Sequence, residues 1–214
     1  MILRWWMLSL ALLAGPGWAG EAGREEAWVG DYRIRDAQGE RALVLVRDES
    51  RVEYRVAGES TRIWRQTPDG LEMIELYPAE RRMVVYTPGD LRTLGVQPDW
   101  ALLTGLVDPA LRARLSVSGD ATAFAQPLSR YRGNDAKGVR VELDWLAEAG
   151  LPARYCVGES CAGKHRDADA IRLQQLTRLP AEDAFTSLDG LLEIDHADLG
   201  DSVDAKVRDL SHAH

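Results

Sequence analysis

Apolar and charged residues alternate along most of the chain between residues 28 and 87. The clearest example is 51–56, where Val52, Tyr54 and Val56 alternate with two arginines and a glutamate. A period of two predicts strands that have one buried and one solvated face. Turn-forming residues divide this region into six short strands, which predicts an antiparallel meander. The predicted strands are 28–35, 41–47, 51–56, 61–66, 71–77 and 82–87.

The apolar period lengthens to that of a helix at 99–115, after the start signal Pro98-Asp99. Gly105 and the Asp108-Pro109 pair are expected to break this segment into two short helices. Because a sheet with one apolar face needs a cover, we expect the sheet to curl around these helices. The segment 182–188 is too short to assign. The remaining predicted elements are strands at 129–132, 138–145, 151–157 and 170–179 and a helix at 202–210.

The N-terminus has the organisation of a cleavable signal peptide. Arg4 precedes an almost unbroken apolar run at 5–14, and small residues favour cleavage after Ala19. A membrane anchor is the alternative, but the run is shorter than the about 20 apolar residues that a spanning helix needs. No cysteine lies at the cut, so we expect no lipid anchor. The sequence therefore predicts a signal peptide at 1–19 and export to the periplasm.

Length and charge limit the remaining possibilities. After removal of the signal peptide, the chain is long enough for one sizeable core, so we expect a single domain at 20–200. An acidic tail that contains two histidines follows at 201–214. The net charge of −8 at pH 7 argues against nucleic acid, or anionic lipid headgroups, as a general partner. We expect a monomer that makes at most transient contact with membrane proteins.

Cys156 and Cys161 are the only cysteines of the chain. In an exported protein, an even pair so close in sequence predicts a disulfide that joins the two sides of a hairpin turn. Two alternatives remain open: a redox-active pair, and a thiolate metal site completed by His165. His196, which is flanked by Asp195 and Asp198, is a further candidate for binding a metal ion. The pattern favours a cluster of surface or capping residues over a metal site.

The order of these elements resembles the LolA/LolB superfamily of periplasmic lipoprotein carriers. The resemblance lies in RVEYRVAGESTRIWRQTPDGLEMIELYPAERRMVVYTP, in DWALLTGLVDPALRARL and in GLPARYCVGESCAGKHRDADAIRLQQL. It implies an α+β fold in which a curved, unclosed antiparallel β-sheet, a half-barrel, has short helices covering its concave face. It also implies a hydrophobic cavity for acyl chains, and it requires no cofactor.

Burial of apolar groups would supply the affinity of such a cavity, at about 0.8 kcal/mol per methylene group. The candidate lining residues are apolar positions of the strands and of the helical segment, and ordinary core packing is the alternative for each of them. They are Trp64, Ile74, Leu76, Val84, Tyr86, Trp100, Leu103, Leu106 and Val107.

Departures from the carriers leave a second function open. The acidic stretch 195–201 and the cysteine hairpin match no carrier motif. Envelope-stress regulators of the RseB type share the architecture, but they sense lipid or misfolded proteins and bind a membrane partner. The chain has no GxSxG, HExxH or phosphate-binding glycine loop, so we do not expect an enzyme. The candidate partners are an acylated ligand and an envelope protein.

Overall fold

The computed structural model describes residues 25–36, 39–161 and 170–200. Its strands are β1 (Glu26–Asp36), β2 (Gly39–Arg47), β3 (Arg51–Val56), β4 (Thr61–Thr67), β5 (Gly70–Tyr77), β6 (Arg82–Tyr86), β7 (Ser116–Ala123), β8 (Gln126–Asn134), β9 (Arg140–Leu146), β10 (Leu151–Val157), β11 (Ile171–Pro180) and β12 (Leu192–Asp195). The α-helices are α1 (Pro88–Thr93), α2 (Trp100–Gly105), α3 (Pro109–Arg114) and α4 (Ala181–Ala184), and 3-10 helices lie at Pro78–Glu80, Gly158–Cys161 and His196–Gly200.

The strands form one sheet in the order β12-β6-β5-β4-β3-β2-β1-β11-β10-β9-β8-β7. Every pairing is antiparallel except that of β12 with β6. The sheet is open, so the predicted fold class is confirmed. The six early strands and the division of 99–115 into two helices are confirmed as well. In the part of the chain described, no helix is long and apolar enough to cross a membrane.

Helix α2 contacts two distant parts of this sheet. On one side, the Tyr54 hydroxyl of β3 donates a hydrogen bond to the Leu103 carbonyl. On the other side, a Cβ atom placed on Gly105 would lie 3.4 Å from the ring of Trp145 in β9. In a flat sheet, β3 and β9 would be five strand spacings, about 24 Å, apart. The sheet therefore curls around its helices, and the face that they cover is the concave one.

Helix α1 and the strands β7 and β12 were missed in the sequence. Helix α1 is capped at its N-terminus by Thr87, whose side chain forms a capping box with Asp90. Strand β7 has the sequence SVSGDATA and is exposed along most of its length. Its core-facing residues Ala121 and Ala123 are small and only partly buried, so it lacks the strong apolar alternation that identifies a strand. The short β12 was missed because a strand of four residues carries too little pattern. The helix predicted at 202–210 lies outside the described residues.

The C-terminal strap, which we define as residues 181–200, crosses the convex face of the first half of the sheet. Its first part packs Phe185 against Ala27 and Val46. Its second part places Leu188 and Leu191 on a cluster that includes Ile63, Ile74, Leu76, Met83 and Val85. These strand residues alternate with those that face the helices. The strap therefore gives the sheet a second buried face.

A buried carboxylate holds the middle of the strap. Glu53 of β3 is fully buried, and it accepts hydrogen bonds from the Thr186 amide at 2.9 Å and from the Thr186 hydroxyl at 2.5 Å. Arg55 donates to the same carboxylate at 2.6 Å and to the Ala184 carbonyl at 2.7 Å. These bonds satisfy both Glu53 and the strap backbone, as burial of polar groups requires.

The end of the strap returns to the concave side. Strand β12 adds to the edge of the sheet beside β6, and the 3-10 helix His196–Gly200 follows at once. Leu199 of this helix is buried in the main core cluster. The His196 ring stacks on Tyr86 with ring centroids 4.4 Å apart. The strap thus contacts the convex face, one edge and the concave face of the sheet.

Candidate functional site

Helices α1, α2 and α3 form the cover of the concave face. Each has six residues, which is too short for stability in isolation, where about 12–15 residues are needed. Each begins with a side chain that caps its first turn: Thr87, Asp99 and Asp108 accept hydrogen bonds from the backbone amides that follow. Local capping and contact with the sheet therefore hold these helices in place.

The polar contacts between α2 and the sheet are few. Beside the bond from the Tyr54 hydroxyl to the Leu103 carbonyl, Arg47 Nη1 of β2 donates to the Thr104 carbonyl oxygen at 3.0 Å. The remaining contacts are apolar, because Trp100, Leu103 and Leu106 pack partly buried against the main core cluster. Burial raises the pKa of Tyr54, so its phenol stays a hydrogen-bond donor.

The structure brings together six of the nine candidate lining residues. Trp64, Val84, Tyr86, Trp100, Leu103 and Leu106 all belong to the main core cluster or pack against it. Val107 belongs to a second concave-side cluster with Leu143 and Trp145. Ile74 and Leu76 were placed on the wrong face. They pack beneath the C-terminal strap, and the neighbouring Glu75 takes the concave position in their strand.

An open cleft of about 470 Å³ lies at one end of the cover, between α2, α3 and the β8–β9 part of the sheet. Of the candidate lining residues, only Val107 borders it. The cleft is lined by Arg47, Ala101, Thr104, Gly105, Val107, Pro109, Arg112, Tyr131, Trp145, Ala147 and Gly150. Two of these side chains are arginines and none is acidic, so the cleft is a local positive site on an acidic protein.

Both arginines are held by contacts other than ion pairs. The Arg112 guanidinium lies over the Trp145 ring, 4.2 Å from its centroid. Arg47 lies against Gly150, where a Cβ atom would be 3.1 Å from the guanidinium and where φ is +63°. Burial lowers the pKa of Arg47, although nearby Tyr32 and Asp48 oppose the shift. Arg47 nonetheless remains a cation at neutral pH, because free arginine titrates above about 12.

A buried polar cluster occupies the concave face near the strap. The Glu75 carboxylate accepts hydrogen bonds from the hydroxyls of Tyr77 at 3.0 Å and Tyr86 at 3.2 Å, and Arg62 donates to it at 3.0 Å. Burial, followed by the charge of Glu75, raises the pKa of both tyrosines. His196 stacks on one of these rings. These groups satisfy one another, and the cluster has the character of a structural network.

The weak metal candidates are placed on the strap. The Asp195 carboxylate accepts a hydrogen bond from the Ala197 amide at 3.0 Å, and His196 Nδ1 is buried without a hydrogen-bond partner in the described part of the chain. Within residues 25–36, 39–161 and 170–200, no group of three or more metal-ligating side chains is found. His165, the other histidine considered, lies outside these residues.

The predicted disulfide between Cys156 and Cys161 is confirmed. Their Cα atoms are 5.3 Å apart, and the 3-10 helix Gly158–Cys161 makes the turn between them. Beside Cys156, the Glu142 carboxylate pairs with Arg140 at 2.5 Å and with Arg154 at 3.2 Å. Burial alone would raise the pKa of Glu142, but these arginines lower it below its ordinary value.

Comparison with known proteins gives distant structural likenesses only. No family model matches the sequence, and no curated protein matches it. The chain is similar to an uncharacterized conserved protein from Thermus thermophilus, with 10% identity over 79% of this chain and 90% of that chain and a TM-score of 0.44.

The chain is also similar to MucB in the MucA/MucB complex of Pseudomonas aeruginosa, with 17% identity over 77% of this chain and 56% of that chain and a TM-score of 0.37. For a structure of MucB alone, the identity is 16%, the coverage is 80% of this chain and 61% of that chain, and the TM-score is 0.39. The chain thus spans little more than half of MucB. Likenesses of this degree carry no argument about activity or partners, and membership of the LolA/LolB superfamily stays a prediction.

Proposed function

We propose that this chain is a soluble periplasmic binding or carrier protein that holds the acyl chain of a lipid or lipoprotein beneath α1, α2 and α3, without catalysis. The observation that carries the proposal is the nature of the cover. Three capped six-residue helices lie over an apolar concave face, and few hydrogen bonds tie α2 to the sheet. Such a cover can be displaced without loss of the sheet.

Exposed apolar side chains on the cover support this proposal. Leu94, Val96 and Leu102 are 51%, 38% and 43% exposed, and all three belong to the segment that carries α1 and α2. Clustered exposed apolar groups mark interaction or ligand sites more often than scattered ones. An acyl chain that entered beside these residues would reach Trp100 and Leu103, which line the main core cluster from above.

The energetic balance favours such binding. A chain that buries ten methylene groups gains about 8 kcal/mol from burial. Ordering the ligand and lifting the helices oppose this gain, and each lost hydrogen bond to the sheet costs about 1 kcal/mol. The net affinity then suits a carrier, which must also release its ligand.

Native mass spectrometry of protein purified from the periplasm tests the proposal. We expect bound lipid on the wild-type chain and less on Leu102→Glu, because a charge at this exposed position would disfavour the apolar entry. Val139→Glu is the matched control, since Val139 is 36% exposed and lies far along the chain from the cover. Absence of bound lipid, together with no binding of a fluorescent fatty acid, would contradict the proposal.

The disulfide between Cys156 and Cys161 supports a periplasmic location. Disulfides persist in oxidising environments such as the periplasm, and the pair Cys156–Cys161 is formed. Thiol counting on periplasmic protein without added oxidant should find no free thiol. Two free thiols would instead favour the alternative of a redox-active or metal-binding pair.

The exposed edge strand β7 favours a second candidate function, that of an envelope interaction protein. In the described residues, β7 pairs with β8 alone, and Val117 on it is 62% exposed. An unprotected edge can pair with a strand of another protein. Crosslinking in cells should then recover one dominant partner with wild-type protein and lose it with Val117→Lys, whereas Val139→Lys should retain it. Recovery of abundant bystanders only would count against this function.

A further inference from the structure

The two arginines of the cleft beside α2 and α3 have no carboxylate partner among the described residues. No acidic oxygen of these residues lies within 4.0 Å of Arg47 or of Arg112. Asp48, which follows Arg47 in sequence, pairs instead with Arg51 at 3.6 Å. Arginine in a protein usually meets a carboxylate or a phosphate, because its planar guanidinium presents several donors to such groups.

Buried donors without a partner strengthen this observation. Arg47 Nε and the Tyr32 hydroxyl are both buried, and neither has a hydrogen-bond partner in the described part of the chain. Tyr32 lies opposite Leu43 in the neighbouring strand, and Leu43 and Arg47 are at alternate positions of β2, so the two side chains share one face of the sheet. A buried donor that stays unpaired costs about 1–3 kcal/mol, so a ligand oxygen that accepted a hydrogen bond from Arg47 would recover part of this cost.

The positions of both guanidinium groups are fixed in advance. Arg47 lies against Gly150 and donates one hydrogen bond to the Thr104 carbonyl, while Arg112 lies flat on the Trp145 ring. These contacts use few of the donors that each guanidinium carries. A site whose charges are already ordered loses little entropy when it binds an anion.

We propose that this cleft binds the anionic end, a carboxylate or a phosphate, of the acylated ligand. This inference rests on the proposed function and specifies the chemistry of its ligand. The cleft of about 470 Å³ borders the cover through Thr104 and Val107, so an anionic group in the cleft and an acyl chain beneath α2 can belong to one molecule. The overall negative charge repels anions elsewhere on the surface, which makes the cleft selective.

Isothermal titration with four probes tests the inference on the full mature protein. The probes are dodecanoate, dodecyl phosphate, uncharged dodecanol and inorganic phosphate. We expect the wild-type protein to bind the two anionic amphiphiles about tenfold more tightly than dodecanol, which is the effect of one charge-assisted hydrogen bond. The two anionic amphiphiles distinguish a fatty acid from a phospholipid as the source of the anion. Raising the salt concentration should reduce this preference.

Arg112→Gln is the informative variant, and Arg114→Gln is its matched control. Both arginines lie in α3, but Arg114 is exposed and does not line the cleft. Arg112→Gln should lose the preference for anions and keep the affinity for dodecanol, whereas Arg114→Gln should behave as wild type. Arg112→Lys should retain part of the preference, because it keeps the charge but not the planar donor group.

The outcomes separate the inference from the function on which it rests. Equal binding of dodecanoate and dodecanol by the wild type and by Arg112→Gln would overturn the inference and leave the proposed function intact. Binding of inorganic phosphate that Arg112→Gln abolishes, without binding of any amphiphile, would support an anion site and overturn the acyl-chain function. Binding of none of the four probes would overturn both.

Discussion

Buried charged side chains decide several local features of this protein. Glu53 anchors the strap through Thr186, Glu75 holds two tyrosines and an arginine, and Arg47 reaches the cover. Glu53 and Glu75 are buried and partnered, whereas Arg47 is half-buried and its Nε has no hydrogen-bond partner among the described residues. Burial of such groups is stable only when the partners are present, so removal of one partner should cost more than removal of an exposed pair.

Glu53→Gln tests this at the strap. Because the carboxylate accepts bonds from the Thr186 amide and from Arg55, we expect the free energy of unfolding to fall by about 2 kcal/mol. Urea denaturation measures this change. The control is Glu40→Gln, which breaks exposed pairs with Arg33 and Arg35 and should change stability by less than about 1 kcal/mol. Equal losses in the two variants would contradict the buried anchor.

Asp90 gives the stability a pH dependence of known sign. Hydrogen bonding from the Thr87 hydroxyl, at 2.6 Å, lowers the pKa of Asp90 below its ordinary value of 3.8. Its contribution is therefore complete above about pH 4 and is lost as the pH falls through the folded-state pKa. Between about pH 4 and pH 2, the stability of the wild type should fall more steeply than that of Asp90→Asn.

Urea denaturation at a series of pH values measures both slopes. Asp69→Asn, on the exposed turn between β4 and β5, is the control and should keep the wild-type slope. Parallel curves for the wild type and Asp90→Asn would contradict the role assigned to the capping box.

Only some of the residues of the candidate site could be predicted from the sequence. The alternation of apolar and polar residues correctly grouped Trp64 with Val84 and Tyr86, because alternate positions of a strand share a face. The same alternation places Arg47 on the face of Leu43 and Leu45, and Glu75 on the face of Met73. The sequence therefore already indicated that both charged residues lie on the concave face. This indication was not recognised because charged strand residues are usually solvated. The assignment of Ile74 and Leu76 to the cavity was wrong for the same reason.

The secondary-structure elements that were predicted have clear sequence patterns, and those that were missed do not. The strands of the meander and helices α2 and α3 were predicted within a few residues, since alternation and caps mark them clearly. Strand β7 was missed because its residues are small and mostly exposed, with only Ala121 and Ala123 packing partly against the core, and its place at the sheet edge explains that composition. Helix α1 has a readable start in Thr87 and Asp90, but it is too short to show a helical period.

Tyr54→Phe tests how the cover is held. Loss of the hydroxyl that donates to the Leu103 carbonyl should increase local opening of α2 without unfolding the sheet. Hydrogen exchange followed by mass spectrometry should show faster exchange in 100–106 and unchanged exchange in β2 and β3. Tyr155→Phe is the control, because the Tyr155 hydroxyl of β10 makes no hydrogen bond to α2 in the described part of the chain. Equal exchange in 100–106 for both variants would show that this bond does not secure the cover.

The whole molecule is an open, curled sheet with a different cover on each face. Helices α1, α2 and α3 cover the concave face, and the C-terminal strap covers the convex face of the early strands before it passes around the edge. The strand order and the route of the strap could not be predicted from local patterns, because they depend on which distant segments meet. Under the proposed function, the strap stabilises the sheet while the helical cover remains free to admit a ligand.

Equilibrium titration with a fluorescent fatty acid tests the proposed function most directly. The mature, delipidated protein should bind the probe in a saturable manner with one probe per chain, and dodecanoate should displace it. Energy transfer from Trp100 and Trp64 to the probe, lowered in Trp100→Phe, should place it beneath α2. A signal that rises linearly without saturation, or that dodecanoate does not displace, would contradict the claim that the concave face holds an acyl chain.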